Sequence, residues 1–465
     1  MITLQTVLEA TGGRASCEEA LEFSGVTTDS RAVRPGNLFV ALTGEKFDGH
    51  AYCEVAVAQG ASAVVIDKPV AALALGAVTI RVDNTLAAYQ QIAKAYRLAQ
   101  KNLRVVAVTG STGKTSTKDL IAACLATKFK VVKTEANFNN EIGLPKTLLS
   151  LTPATEIAVV EMGMRGLGQI RQLKALAEPD AVVITNVGET HLELLGSLEN
   201  IAKAKSEILE GLTAANFAVL NLDDHRVAQM TTAAQVVGFG TTGGETICAR
   251  EIVTGGTGTS FVYESQLTKT TQKITMPLIG VHNVMNALAA IGVAEKWGVE
   301  PAAIRQALAE VSLSGARQAI TTCGKITLIN DAYNASPASM AAALQTLAQV
   351  KATRGDGART LAVLADMLEL GAGEKAAHAR VGTLAASSGV DILLGYGELT
   401  QATLEAAQAA GLPRVIYCRD KEEAAAKLQA VAVDGDIILF KGSHSMAVEQ
   451  VITLAFGNKQ VGDRI

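Results

Sequence analysis

Short apolar runs separated by helical patterns dominate the chain. Runs of the kind that fill buried parallel strands stand at 38–42, 61–65, 78–82, 157–160, 181–184, 217–220 and 236–239. They resume at 325–330, 360–364, 391–394, 414–417 and 436–440. Helical stretches separate most of them, with the clearest at 85–100 and 282–297. Such alternation predicts βαβ units and mostly parallel sheets covered on both faces. Residues 241–280 break the rhythm. Thr- and Gly-rich alternating runs at 259–263 and 273–276 predict a small antiparallel excursion. Ser314-Gly315 reads as a hinge, after which the alternation restarts. The expected fold class is therefore α/β in three domains. A small N-terminal α/β domain spans 1–83. A central domain with a phosphate-loop-type, mostly parallel sheet spans 84–313. A C-terminal doubly wound, Rossmann-like domain spans 314–465.

Composition sharpens this picture. A chain of 465 residues is too long for one core. With 49% hydrophobic residues, only 4% aromatic and 42 Gly, it suits α/β domains with tight turns. A formal net charge of −4 gives no electrostatic case for nucleic acid. Cys17, Cys53, Cys124, Cys248, Cys323 and Cys418 are scattered without a C-x-x-C, which argues against a disulfide framework or a cysteine metal cluster. No basic segment followed by an apolar one opens the chain, and no apolar stretch is long enough to span a bilayer. A cytoplasmic protein with no membrane insertion is expected.

The strongest chemical signal lies where the run Val105-Val106-Ala107-Val108 enters Thr109-Gly110-Ser111-Thr112-Gly113-Lys114-Thr115-Ser116, followed by a helical pattern. Strand, Gly-rich turn and helix in that order form a phosphate-binding loop. Backbone N–H groups around Gly110 and Gly113 can wrap a polyphosphate, Lys114 adds positive charge, and the Thr115 hydroxyl can ligate Mg²⁺. Val108 stands where the longer form of the motif has glycine, so this is the shorter form. A nucleoside triphosphate is the expected ligand.

In open parallel sheets ligands gather at the carboxyl ends of the strands. Polar residues recur there: Glu161, Thr185-Asn186 with His191 beyond, Asp331 to Asn334, Asp366, and Lys441 to Ser445. Glu161 is placed to hold the Mg²⁺ that bridges nucleotide phosphates. Spacing alone makes His191 a structural histidine and Lys205 an exposed helix lysine. His282, Asn283 and Asn286 start one helix. Asparagines there can read adenine or simply cap the helix. His50, His225 and His378 are assigned surface or core roles. No Ser-His-Asp or Cys-His arrangement stands out.

Taken in order, T-G-S-x-G-K-T, E-M-G, T-N-x-x-x-x-H, A-K-x-E, H-N-x-x-N and D-x-Y-N resemble the Mur ligase family along essentially the whole chain. These are ATP-dependent amide ligases of bacterial cell-wall synthesis. Asn137-Phe138-Asn139-Asn140-Glu141-Ile142-Gly143-Leu144-Pro145, Asp331-Ala332-Tyr333-Asn334-Ala335-Ser336-Pro337, Asp366-Met367-Leu368-Glu369-Leu370-Gly371 and Lys441-Gly442-Ser443-His444-Ser445-Met446 are similar to the branch that adds D-alanyl-D-alanine.

The resemblance implies UDP-N-acetylmuramoyl-tripeptide and D-Ala-D-Ala as substrates, with ATP and Mg²⁺ as cofactors. The three domains would take the UDP portion, ATP and the dipeptide in turn, in a monomer. It implies Lys114, Lys205 and His191 as catalytic. Thr115, Glu161 and His191 would ligate metal, and Lys205 would be open to carbamylation. Gly110, Ser111, Thr112, Gly113, Lys114, Thr115, Ser116, Asn283, Asn286, Asp331 and Asn334 would bind the nucleotide. Thr28, Asp29, Ser30, Arg31, Gly44, Asn137, Asn139 and Asn140 would bind the UDP substrate. The residues alone leave open another Mur-type ligase, such as the tripeptide ligase, or a nucleotide-switched binding protein.

Overall fold

A computed structural model describes residues 2–45, 47–70, 78–315, 317–355 and 357–457. The chain forms two compact units. One holds the chain up to Ala107 together with Lys130–Gly163 and Gln169–Asp180. The other holds Val108–Phe129, Met164–Gly168 and the chain from Ala181 onward.

The first unit contains a five-stranded sheet in the order Arg14–Ala15, Val78–Arg81, Ala63–Ile66, Asn37–Val40, Gly25–Thr27. Only the first of these is antiparallel to its neighbour. Every residue of Asn37–Val40 and Ala63–Ile66 is buried, as a strand covered on both faces requires. Leu38, Val40, Val65 and Ile80 face a core closed by Tyr89 and Ile92 of the helix Thr85–Ala99, while Phe39 and Val64 face a second cluster. The same unit holds the parallel strands Val131–Lys133 and Ile157–Glu161.

In the second unit the strands Ala181–Ile184, Phe217–Asn221, Gln235–Gly240 and Ile247–Gly255 run parallel in that order. Gly258–Ser265 and Thr270–Met276 then add antiparallel edges. The expected antiparallel excursion is thus present, but it also takes in Ile247–Gly255, a strand the alternation did not reveal. Its break in register between Arg250 and Val253 disturbs the period-two pattern. The helix Val281–Lys296 is buried along most of its length.

A six-stranded sheet follows, in the order Ala319–Cys323, Ile326–Asn330, Ile437–Lys441, Thr360–Ala365, Ile392–Tyr396, Arg414–Cys418. Only the first pair is antiparallel. Successive residues of its strands point into different cores. Ile329, Leu364 and Leu439 pack under the helices Pro337–Arg354 and Glu374–Ser387. Leu328, Val363 and Phe440 pack under Lys421–Val431 and Val448–Phe456. Helices on both faces of a parallel sheet make this the doubly wound arrangement that the sequence predicts.

Candidate active site

The phosphate-loop turn is built by glycine. Gly110 has φ +151° and Gly113 φ +79°. A Cβ on Gly110 would fall 1.8 Å from Thr185 Oγ1, and one on Gly113 would fall 2.6 Å from Asn286 Oδ1. Gly113 caps the helix Lys114–Ala126, whose N-terminus favours an anion.

The segment after strand Ala181–Ile184 clamps the loop. Thr185 Oγ1 donates to Thr112 O at 2.6 Å. Ser111 N donates to Asn186 O, and Thr112 N donates to Asn186 Oδ1, both at 3.0 Å. Ser111 Oγ exchanges bonds with Gly188. Two of the amides expected to wrap a phosphate are therefore turned to Asn186 instead. Lys114 Nζ lies over the turn, donating to Gly110 O at 2.9 Å and Ser111 O at 3.3 Å. Thr115 and Ser116 are buried at the helix start.

Lys205 departs most from the reading by spacing. It is not an exposed helix lysine. It is 2% exposed, because the helix Leu198–Ser206 turns Ile201, Ala204 and Lys205 inward together. Burial, helped by the charge of Lys114, pushes its amine well below the usual lysine range. His191 has φ +55°, and its Nδ1 pairs with Glu369 Oε2. Burial lowers the pKa of this imidazole. Glu369 opposes that shift, and Lys114 and Lys205 add to it. Arg165 stands 3.6 Å from the same carboxylate, and Arg380 pairs with Glu189 at 2.7 Å. The sequence marks Glu369 only as part of the Asp366–Gly371 motif. Its approach to His191 joins groups 178 residues apart, and no local pattern carries that.

Asn283 and Asn286 do not cap their helix, whose N-cap is Gly280. Both are buried. Thr117 Oγ1 donates to Asn286 Oδ1 at 3.1 Å, Asn286 Nδ2 to Asn283 Oδ1 at 3.3 Å, and Asn283 Nδ2 to Gln318 Oε1 at 2.9 Å. His282 lies beside them, its pKa lowered by burial against the opposing influence of Asp331 and Gln318.

Strand register sets the next cluster. Asn330 pairs with Phe440, which puts Asp331 and Lys441 side by side at the carboxyl ends of adjacent strands. Lys441 Nζ donates to Asp331 Oδ2 at 2.6 Å and to Asn334 O at 2.9 Å. The Arg317 guanidinium lies 3.7 Å from the centroid of the Tyr333 ring, and its buried Nη2 has no hydrogen-bond partner. Asp366 serves a different purpose. It accepts from Thr400 N and Oγ1 and so fixes the start of the helix Thr400–Ala409. His378 accepts from Met367 N and orders the following loop.

The remaining expected site residues lie in the first unit. Asp29 caps the short helix Ser30–Ala32 and holds Arg31 through both carboxylate oxygens at 2.9 and 2.8 Å. This pairing lowers Asp29 to about 2. Thr28 precedes this turn, and the Arg31 side chain is exposed. Gly44 N donates to Phe47 O at 2.9 Å. Asn137 O accepts from Asn139 N, and Asn139 Nδ2 donates to Glu161 Oε1 at 2.7 Å. Asn140 Oδ1 accepts from Gly143 N. Glu161 is 2% exposed. His50 is buried between Asp48 and Asp67.

Among the described residues no cluster of three or more His, Cys, Asp or Glu is set to hold a metal, and no helix is long and apolar enough to cross a membrane.

Three family models match the chain: the Mur ligase family catalytic domain at 22–97, the Mur ligase middle domain at 108–294 and the Mur ligase glutamate ligase domain at 316–444. The chain is 40% identical to the UDP-N-acetylmuramoyl-tripeptide–D-alanyl-D-alanine ligase of Bacillus subtilis, over 92% of each chain. It is 34% identical to the ligase of the same name from Escherichia coli, over 97% of each. A crystal structure of MurF from Acinetobacter baumannii superposes with a TM-score of 0.88 at 28% identity, covering 98% of both chains. MurF ligase from Thermotoga maritima in complex with ADP superposes at 0.81 with 26% identity, covering 93% of this chain and 96% of that one.

Proposed function

The chain belongs to the Mur ligase family, and from that premise we propose that it joins D-alanyl-D-alanine to UDP-N-acetylmuramoyl-tripeptide, using ATP, in the cytoplasm. The observation that carries the reading is the phosphate loop with Lys114 lying over its turn and a second lysine, Lys205, buried. That arrangement suits a phosphoryl transfer in which the protein mainly positions and neutralises.

A carboxylate acylates nothing in water, because its leaving group would be oxide. Attack of the tripeptide's terminal carboxylate oxygen on the γ-phosphorus of ATP releases ADP and gives an acyl phosphate. The dipeptide amine then attacks the carbonyl carbon. The tetrahedral intermediate loses phosphate, and the nitrogen loses its proton. The phosphate departs carrying one oxygen of the original carboxylate.

In this reading Gly110 to Ser116 cradle the phosphates, with the Ser111 and Thr112 amides exchanging Asn186 for phosphate oxygens. Lys114 exchanges its present carbonyl partners for phosphate oxygens and offsets the charge on the transferring group. Asn286 and Asn283 border the nucleotide through Gly113, and Asp331 and Asn334 approach it from the C-terminal sheet. Thr28, Asp29, Ser30, Arg31, Gly44, Asn137, Asn139 and Asn140 receive the UDP substrate. Thr115 and His191 would hold Mg²⁺ in the second unit, His191 on the strength of the resemblance, and Glu161 is proposed as a ligand from its place at a strand end. Mg²⁺ is usually held through one or two carboxylates together with phosphate oxygens and water, and of the three proposed ligands Glu161 would be the carboxylate. When bound, Mg²⁺ would polarise the phosphoryl oxygens. Lys205 in its proton-free form can add CO₂ through nitrogen, losing a proton to leave a carbamate whose negative charge would offset Lys114. The domain limits at 83/84 and 313/314 belong to the same proposal.

Phosphate release tests the reading when ATP, Mg²⁺, the UDP-tripeptide and the dipeptide are omitted in turn. Turnover that needs all four and yields the UDP-linked pentapeptide supports it. Turnover indifferent to both peptide substrates would mark a nucleotide-switched protein instead.

A further inference from the structure

An unbroken line of hydrogen bonds runs from the phosphate-loop helix to the C-terminal strand ends. It passes from Thr117 through Asn286 and Asn283 to Gln318, then to Asp331 and Lys441. Only Gln318 in this line comes from the linker between the two sheets of the second unit. Its Oε1 accepts from Asn283, its backbone N–H donates to Asp331 Oδ1 at 3.2 Å, and its Nε2 donates to Thr346 Oγ1 at 3.0 Å. Its backbone is held at φ +50°, a conformation that a side chain adopts at a cost and that these bonds sustain.

We propose that Gln318 is a positioning residue for ligation, tying the asparagines beside the phosphate loop to the Asp331–Lys441 pair. The proposal rests on the function read above. A reaction in which one sheet holds the phosphates and another presents the attacking amine depends on their register. A misplacement of about 1 Å costs up to about a hundredfold in rate. Asp119 already anchors the linker by accepting from Ser314 N at 2.9 Å and Ser314 Oγ at 2.6 Å. Loss of the Gln318 side chain therefore loosens the register without freeing the linker.

The test compares wild type with Gln318→Met, which keeps the length and the backbone bond to Asp331 but removes both side-chain bonds. Thr346→Val removes only the outer bond. For Gln318→Met, kcat should fall about tenfold, the KM for the UDP-tripeptide should stay within about twofold, and the melting temperature should stay within about 2 °C. Thr346→Val should keep kcat within about threefold of wild type. Gln318→Met with wild-type kcat, or with a kcat loss no larger than its loss of folded protein, overturns the proposal. A wild-type enzyme that makes no pentapeptide overturns the functional reading instead.

Discussion

Asn286 Oδ1 stands 2.6 Å from the point that a Cβ on Gly113 would occupy. The same oxygen accepts from Thr117, three residues into the loop helix. Asn286 thus fixes the turn from behind, and Gly113 has φ +79° besides. Gly113→Ala should add about 1–3 kcal/mol of backbone strain and push the turn off Asn286. Calorimetric titration with ADP should show binding weakened about tenfold or more. Unchanged affinity would mean that the turn does not set the phosphate site.

Lys205 gives a prediction with a sign. Its folded pKa lies well below the ordinary 10.5, so the folded state holds fewer protons than the unfolded one between those two values. Stability must then rise with pH across that window, at up to about 1.4 kcal/mol per unit. It is lost as pH falls toward the folded value. Urea unfolding from pH 7 to 9 should show this slope in wild type and a shallower one in Lys205→Met. Equal slopes would place the amine's protonation elsewhere.

The Lys441–Asp331 pair is almost wholly buried, with side-chain exposures of 3% and 14%. Lys441→Met leaves a buried carboxylate uncompensated and should destabilise by about 3–5 kcal/mol. The double variant with Asp331→Asn should cost less than the sum of the single changes by about 1 kcal/mol or more. Denaturant melts of all four proteins measure the coupling, and strict additivity would show that the two groups act independently.

Arg31 is 88% exposed and pairs with Asp29. Arg31→Ala should therefore change stability by no more than about 0.5 kcal/mol. It should raise the KM for the UDP-tripeptide about tenfold through a lost charged contact, with the KM for ATP untouched. Steady-state kinetics with each substrate varied separates these effects. A rise in the KM for ATP alone would move Arg31 out of the UDP site.

Much of the fold was legible because parallel strands buried on both faces read as unbroken apolar runs. Val105 to Val108 and Ile437 to Phe440 are examples. The polar residues that follow such runs marked the strand ends correctly, since Asp331 and Lys441 meet there. What each polar residue does there was not legible. Asp366 looks like Asp331 in sequence, but its carboxylate is consumed in starting a helix. Lys205 reads as a surface lysine from its own helix pattern, yet it is buried. Asn283 and Asn286 look like caps or base readers, and their side chains are spent on Gln318 and Thr117 through pairings of 35 and 169 residues in separation. Long-range register carries this information, and local periodicity does not.

In the proposed reaction the tripeptide carboxylate is activated as an acyl phosphate. Its most direct test uses UDP-tripeptide with both terminal carboxylate oxygens replaced by ¹⁸O, ligated to D-Ala-D-Ala by the full chain with ATP and Mg²⁺. Activation through an acyl phosphate leaves one ¹⁸O in each inorganic phosphate and the other in the new amide carbonyl. Unlabelled phosphate formed alongside the pentapeptide would contradict it.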